Sequence, residues 1–297
     1  MNKIVVAQPL DISNIQMEKL KEVGEVVVYD DMPSSYEDWF DRVKDADVIC
    51  SGKYGLKQKW RELENVFISL PFVGVGWVDV EEARDKNITF AKSPGCNKEP
   101  VSEWIVGMMI NLLRKLPEKI NAKNINSNST QSLAGKRVCI CGTGNIGSRV
   151  GEICEALNMN IVFFRKGDDL LSRVKDADVI VDVLSLNVAT ENIYNREFFE
   201  NLKKGSYFIT VTSDKLWDVN AMIDSLNCDV LAGVANDCGG IQVDDSRAPL
   251  YERMRSHPKI LATAHTAYNT DRRNQVCNDM MIENIIAWIN NKPINLV

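Results

Sequence analysis

No stretch of this chain approaches the roughly 20 consecutive apolar residues of a membrane span. The apolar run in its opening, MNKIVVAQPLD, is too short for a signal peptide. A cytoplasmic protein with no membrane partner is therefore expected. No run of lysine or arginine stands out either, and the net charge is −6, which argues against a nucleic-acid surface built on clustered cations. The 8 cysteines form no CxxC pair and follow no regular spacing, so reduced thiols are expected rather than a disulfide framework. Cys139 and Cys141, two apart in an apolar strand, share one face and read as small core residues rather than as part of a metal site, and no metal is expected. There are only 2 histidines, His257 and His265. No internal repeat of solenoid length is visible.

What the chain does have is length and alternation. Its 297 residues, 45% hydrophobic and 26% charged, suffice for two domains with proper cores. KIVVAQPL, EVVVYDD, ADVICSG and FVGVGW are β-rich runs separated by polar stretches of helical period, a pattern that predicts a parallel sheet with crossover helices. A long apolar-striped helix over 99–119 and the polar linker NAKNINSNSTQSLAG mark a boundary. A second alternating series then runs from KRVCICGTGNIG to KILATAHTA, and an amphipathic helix over 272–291 ends the pattern.

GTGNIG is the strongest local signal. Gly142, Gly144 and Gly147, with Asn145 and Ile146 between them, follow an apolar strand and open a helix, the arrangement in which backbone approaches a pyrophosphate at a helix amino end. The alternative is a structural glycine turn. The next strand ends in FFRKG, where an acid would read the ribose 2′-hydroxyl of NAD. Arg165 and Lys166 stand there instead and suit a 2′-phosphate, which favours NADP(H) and leaves NAD(H) open. The bland reading makes both residues solvated surface charges.

The chain from end to end resembles the D-2-hydroxyacid dehydrogenase family. The resemblance is carried by VGVGWVDVEEARDKNITFAKSPGCNKEPVSEW, by GTGNIG, by LKKGSYFITVTSDKLWD, by LAGVANDCGGIQ, by ATAHTA and by NNKPINLV. It implies an α/β protein of two doubly wound Rossmann-like domains. The cofactor domain, 97–266, is inserted into a flavodoxin-like substrate domain made of 1–96 plus 267–297. It also implies hydride transfer to or from a small-molecule substrate, and a homodimer in which the two long helices take part.

In such enzymes an arginine grips the substrate carboxylate and carbonyl, a histidine supplies the proton and a glutamate supports the histidine. The histidine matches His265. The arginine position, at the lip of the strand in GSYFITVTSDKLWDVNAM, is Ser213, after Thr212 on the cofactor side, and a serine cannot make a bidentate grip. Asp237 matches the family aspartate near the nicotinamide. The glutamate position is Gln242, which carries no charge to hold a histidine protonated. Formate dehydrogenase, a relative, also pairs glutamine with its histidine but keeps its arginine, and Asn97 matches its substrate-touching asparagine.

An atypical carbonyl substrate is therefore expected, anchored by Lys53 and Tyr54 of SGKYG and by Trp77. A solvated Lys53 and a core Trp77 are the bland alternatives. The competing reading is a catalytically silent NAD(P)-binding regulatory or structural protein. A shifted register would instead bring Arg272 or Arg273 into the arginine's role.

Overall fold

The computed structural model describes all residues except 121–128 and 238–247. The chain folds as two compact units, Met1–Asn97 with Thr270–Val297, and Lys98–Asn269. Both are α/β with wholly parallel sheets, as the alternating pattern predicts.

The first unit begins with β1 (Asn2–Val6), α1 (Asn14–Lys21), β2 (Gly24–Val28), α2 (Tyr36–Val43), β3 (Val48–Cys50), α3 (Leu56–Lys59), β4 (Phe67–Ser69), α4 (Val80–Asp85) and β5 (Thr89–Ala91). Its strand order is β2-β1-β3-β4-β5. Strands β3 and β4 lie between neighbours and every residue of both is buried, so each reads as a short unbroken apolar run. FVGVGW, expected as a strand, is instead a loop, and β4 is the FIS segment just before it. Two glycines in six residues weaken a strand, whereas FIS has a bulky apolar side chain at two of its three positions.

The second unit contains α5 (Lys98–Leu113), α6 (Leu116–Ile120), β6 (Arg137–Cys141), α7 (Asn145–Ala156), β7 (Asn160–Phe164), α8 (Leu170–Val174), β8 (Val179–Asp182), α9 (Arg196–Glu200), β9 (Ser206–Thr210), α10 (Val219–Asn227), β10 (Leu231–Asn236), α11 (Ala248–Arg255) and β11 (Ile260–Ala262). Its order is β11-β10-β9-β8-β6-β7, which reverses between β6 and β8. The helix expected over 99–119 is broken at Lys115, whose φ is 48°. Pro117 explains the break, because it lacks the N–H that would continue the ladder and its ring would crowd the carbonyl four residues back.

The chain returns to the first unit through α12 (Asp271–Ile289). This helix covers one face of the first sheet, with Met281, Ile282 and Ile285 packed among Ile4, Val6, Val48, Cys50 and Phe67. Ser69 donates to the Met281 carbonyl at 2.8 Å and Trp288 stacks on Phe67 with centroids 4.9 Å apart.

Among the described residues six of the cysteines are buried free thiols, Cys139 and Cys141 included, and Cys228 is an exposed one. No group of His, Cys, Asp or Glu among the described residues is arranged to hold a metal, and no described helix is long and apolar enough to cross a membrane.

Candidate nucleotide and catalytic site

Register lines up one edge of the second sheet. Cys141 pairs with Asp182, Asp182 with Thr210, Thr210 with Asn236 and Asn236 with Ala262, so the last residues of β6, β8, β9, β10 and β11 form a row. Every segment that leaves these strands emerges at the same carboxyl edge. In a doubly wound sheet that edge, where the strand order reverses, is where ligands bind.

The glycine turn leaves β6 there. Gly142 has φ 112°, and a Cβ on it would lie 3.1 Å from the Val183 carbonyl oxygen. A Cβ on Gly147 would lie 2.0 Å from the Gly142 oxygen, so this glycine is what lets α7 start against the turn. Gly144 differs, since a Cβ there would meet nothing within 4 Å. It is also the N-cap of a 12-residue helix and offers no side-chain acceptor to the first-turn N–H groups. An open backbone face and an uncapped helix amino end suit a pyrophosphate, with Asn145 and Ile146 in the first turn.

One strand over, β7 ends at Phe164 and exposes Arg165 and Lys166. The Arg165 guanidinium lies 5.8 Å from the Phe163 ring centroid. The nearby acid, Asp168, accepts from Arg173 at 2.8 Å and from the Arg165 N–H at 2.9 Å. Those two interactions, the Arg173 hydrogen bond first, hold its carboxyl below the usual range.

Next to the turn lies a group the sequence reading missed. Asp182 is fully buried and accepts from the Leu184 N–H (3.1 Å), the Tyr194 hydroxyl (3.0 Å), the Thr210 hydroxyl (2.8 Å) and the Thr212 hydroxyl. Burial pushes this carboxyl up against the opposing pull of the donors, and the Tyr194 phenol is also pushed well up by burial. The available signal was an acid inside the β-branched run ADVIVDVL. Thr212, a cofactor-side candidate, is thus tied down beside Ser213. Ser213 itself caps the 3-10 turn Asp214–Leu216, accepting from the Lys215 N–H at 3.3 Å and donating to Asp214 at 3.4 Å.

Asp237 is 3% exposed. Its carboxylate accepts from the Thr263 hydroxyl (2.5 Å) and from the N–H groups of Thr266 and Ala267 (2.8 Å each). Its own N–H donates to the Thr210 carbonyl at 3.1 Å. This acid therefore clamps the loop that carries His265. His265 is exposed, has φ 54° and lies 5.1 Å from the Tyr268 ring centroid. A left-handed non-glycine residue costs on the order of 1 kcal/mol, and the Asp237 clamp holds it in place. His257 precedes β11, at the opposite end of the strand, and its Nδ1 accepts from the Lys259 N–H at 3.2 Å. Gln242 lies outside the described residues.

The remaining candidates belong to the first unit. Lys53 and Tyr54 follow β3 and are exposed, with Tyr54 5.1 Å from the Tyr36 ring. Trp77 is half-buried, meets Phe90 edge-on at 6.1 Å and donates its indole N–H to the Gly74 carbonyl at 3.2 Å, so core packing engages it. Asn97 ends the first segment of this unit.

Residues 106–267 match the sequence family described as D-isomer specific 2-hydroxyacid dehydrogenase, NAD binding domain. A D-lactate dehydrogenase of Staphylococcus epidermidis is 24% identical over 268 residues, 79% of this chain and 80% of the relative. Among solved structures, an acyclic imino acid reductase in complex with NADPH and D-Arg superposes with a TM-score of 0.82 at 20% identity, covering 99% of each chain. A D-lactate dehydrogenase with NAD+ from Lactobacillus jensenii gives 0.78 at 21% identity, covering 100% of this chain and 99% of the other.

Proposed function

The chain belongs to the D-isomer specific 2-hydroxyacid dehydrogenase family, and we propose that it is an NAD(P)-dependent oxidoreductase whose substrate is a carbonyl or imino compound held without the family's arginine. The observation that carries this reading is the GTGNIG turn, with the open face of Gly144 above an uncapped helix. Gly142, Gly144 and the first turn of α7, with Asn145 and Ile146, bind the pyrophosphate. Arg165 and Lys166 pair with a 2′-phosphate, and the Arg173 hydrogen bond to Asp168 weakens the opposing acid, so NADP(H) is preferred over NAD(H). The bound nicotinamide supplies or accepts the hydride.

The chain's own groups handle the proton and the substrate oxygen or nitrogen. His265 exchanges the proton, held toward the carboxyl edge by the loop that Asp237 clamps. Ser213 offers one neutral hydrogen bond and no charge, so an acid group on the substrate needs another partner. Gln242 stands in the family's glutamate position without a negative charge. Lys53, Tyr54 and Asn97 contribute substrate contacts from the first unit. Two copies of the chain form the working assembly, in the cytoplasm.

The fact that Ser213 is already engaged in capping its own turn favours a second reading, a nucleotide-binding protein without catalysis. Titrations with NADPH and NADH followed by nicotinamide fluorescence, then a panel of 2-keto acids, aldehydes, ketones and imines formed in place from keto acids and amines, separate the two. Tighter NADPH binding with oxidation by one class of substrate is expected. Binding without turnover across the panel selects the silent reading, and failure to bind either nucleotide removes both.

A further inference from the structure

Where the strand order of the second sheet reverses, a buried carboxyl outside the proposed chemistry ties two loops together. Asp182 ends β8 and pairs in register with Cys141, the residue before the GTGNIG turn. The next residue, Val183, donates its N–H to the Cys141 carbonyl at 3.1 Å, and its own carbonyl oxygen is the atom 3.1 Å from a Cβ on Gly142. Oδ1 of Asp182 accepts from the Leu184 N–H and the Tyr194 hydroxyl, and Oδ2 accepts from the hydroxyls of Thr210 and Thr212. The loop after β8 is thus pinned at both ends to the group that holds the end of β9. Further on, backbone bonds zip this loop to the one after β9. Asn192 N–H donates to the Lys215 carbonyl at 2.8 Å, Tyr194 N–H to the Leu216 carbonyl at 2.9 Å and Asp218 N–H to the Tyr194 carbonyl at 2.9 Å. Ser213 follows Thr212 in that second loop.

Counting protons shows which form of Asp182 fits. Its Oδ2 touches both threonine hydroxyls, and these lie 3.1 Å from each other, so three oxygens form a triangle. Thr210 accepts in addition from the Thr212 N–H at 3.2 Å. A hydroxyl donates one proton and an ionised carboxylate none, so two protons would have to serve three contacts. A proton on Oδ2 supplies the third: Asp182 donates to Thr212, Thr212 to Thr210, and Thr210 back to Asp182. Burial acts in the same direction, and no cation among the described residues opposes it. The titratable groups that face Asp182 are the Cys141 thiol on β6 and the Tyr194 phenol ahead of α9. The Cys139 hydrogen bond and burial push the thiol up, burial pushes the phenol up, and both stay neutral.

A charge at Asp182 would also stand one strand from the glycine turn, where it would repel the charge of a pyrophosphate through a low-dielectric interior. A nucleotide bound there favours the neutral carboxyl, and by reciprocity the neutral carboxyl favours the nucleotide. We propose that Asp182 is a positioning residue of the nucleotide site that works in its neutral form, its proton closing the ring with Thr210 and Thr212 that sets the loops after β8 and β9 beside the glycine turn. The inference rests on the reading of GTGNIG as a nucleotide site.

Fluorescence titration of the full-length chain with NADPH, from neutral to mildly alkaline pH, tests it. The quantity read is the ratio of affinities of the unmodified chain and Asp182→Asn, in which titration of the nucleotide's own 2′-phosphate cancels. An asparagine side chain has the acceptor and the donor of a neutral carboxyl and does not ionise. The variant should therefore hold its affinity where the unmodified chain loses up to about tenfold per pH unit, the limit for one linked proton. A ratio that is the same at every pH overturns the proposal. Thr212→Val breaks the ring and leaves the carboxyl in place, so it decides the matter if Asp182→Asn does not fold. It should weaken NADPH binding at neutral pH by about tenfold, as loss of a hydrogen bond does, and Thr212→Ser should restore it; equal binding by the two Thr212 variants also overturns the proposal. An unmodified chain that binds no NADPH at any pH removes the nucleotide reading and the proposal with it, whereas binding with a constant ratio removes the proposal alone.

Discussion

Three glycines of the GTGNIG turn sit in three different environments, and their substitutions separate ligand effects from folding effects. Gly147→Ala drives a Cβ into the Gly142 carbonyl at 2.0 Å, so it destabilises the second unit by about 1–3 kcal/mol, as overpacking does. Gly144→Ala meets open space within the protein. It leaves the urea midpoint close to that of the unmodified chain and yet weakens NADPH binding at least roughly tenfold, the affinity that one lost charge-assisted contact represents. Equal effects of both substitutions on both readouts would remove the turn's assignment to phosphate. Asp182 offers a second test. Burial raises its carboxyl in the folded state, so its contribution to stability is complete below the unfolded carboxylate pKa and declines as pH rises through the folded value. Thermal melts of the unmodified chain and of Asp182→Asn across acid to neutral pH check this. The advantage of the aspartate should be greatest at the acid end and should shrink as pH rises; a difference independent of pH would mean that Asp182 does not titrate in the folded protein.

At the scale of elements, loops that leave a common sheet edge are held by a few buried polar anchors. The loop after β11 depends on Asp237, which takes two backbone N–H groups and one hydroxyl. Asp237→Ala leaves the two N–H groups without their acceptor inside the protein, at a cost of about 2–4 kcal/mol. It also frees His265 from its left-handed position. The expected outcome is a lower denaturant midpoint, turnover reduced by more than tenfold and a smaller loss of nucleotide affinity, because the glycine turn lies three strands away in the sheet order. Retention of full turnover would show that loop geometry does not matter to the chemistry. The break between α5 and α6 teaches the same lesson about local chemistry. An apolar stripe continues through it, and Pro117 with the positive φ of Lys115 decides the path.

For the whole molecule, the alternation of apolar runs and amphipathic stretches was enough to read two parallel sheets, and the spacing of Gly142, Gly144 and Gly147 was enough to read a tight turn between a strand and a helix, because both are local patterns. Ser213 and His265 could be singled out only by their order in matched motifs, and the structure places them after β9 and after β11. The Asp182 cluster was not readable, since its four donors come from β9 and from the segments after β8 and β9 and make sense only once the strands are in register. Lys53 and Arg273 were readable singly but not as neighbours, because they come from opposite ends of the chain and only the return of α12 to the first sheet joins them. That return carries the last prediction. Met281, Ile282 and Ile285 are at most 1% exposed against the first sheet, and burying three such side chains contributes about 6 kcal/mol, comparable with the whole stability of a domain. A chain ending at residue 269 lacks this cover, so its first unit should not fold. Near-ultraviolet circular dichroism should then lose the bands of buried Trp39 and Trp60, and hydrogen exchange should find β1, β3 and β4 unprotected. Strands β6, β8 and β9 lie within 98–269, which folds around its own cores, and they should remain protected, with NADPH binding retained. Protection of β3 and β4 in the truncated chain would mean that the first sheet carries its own stability without α12.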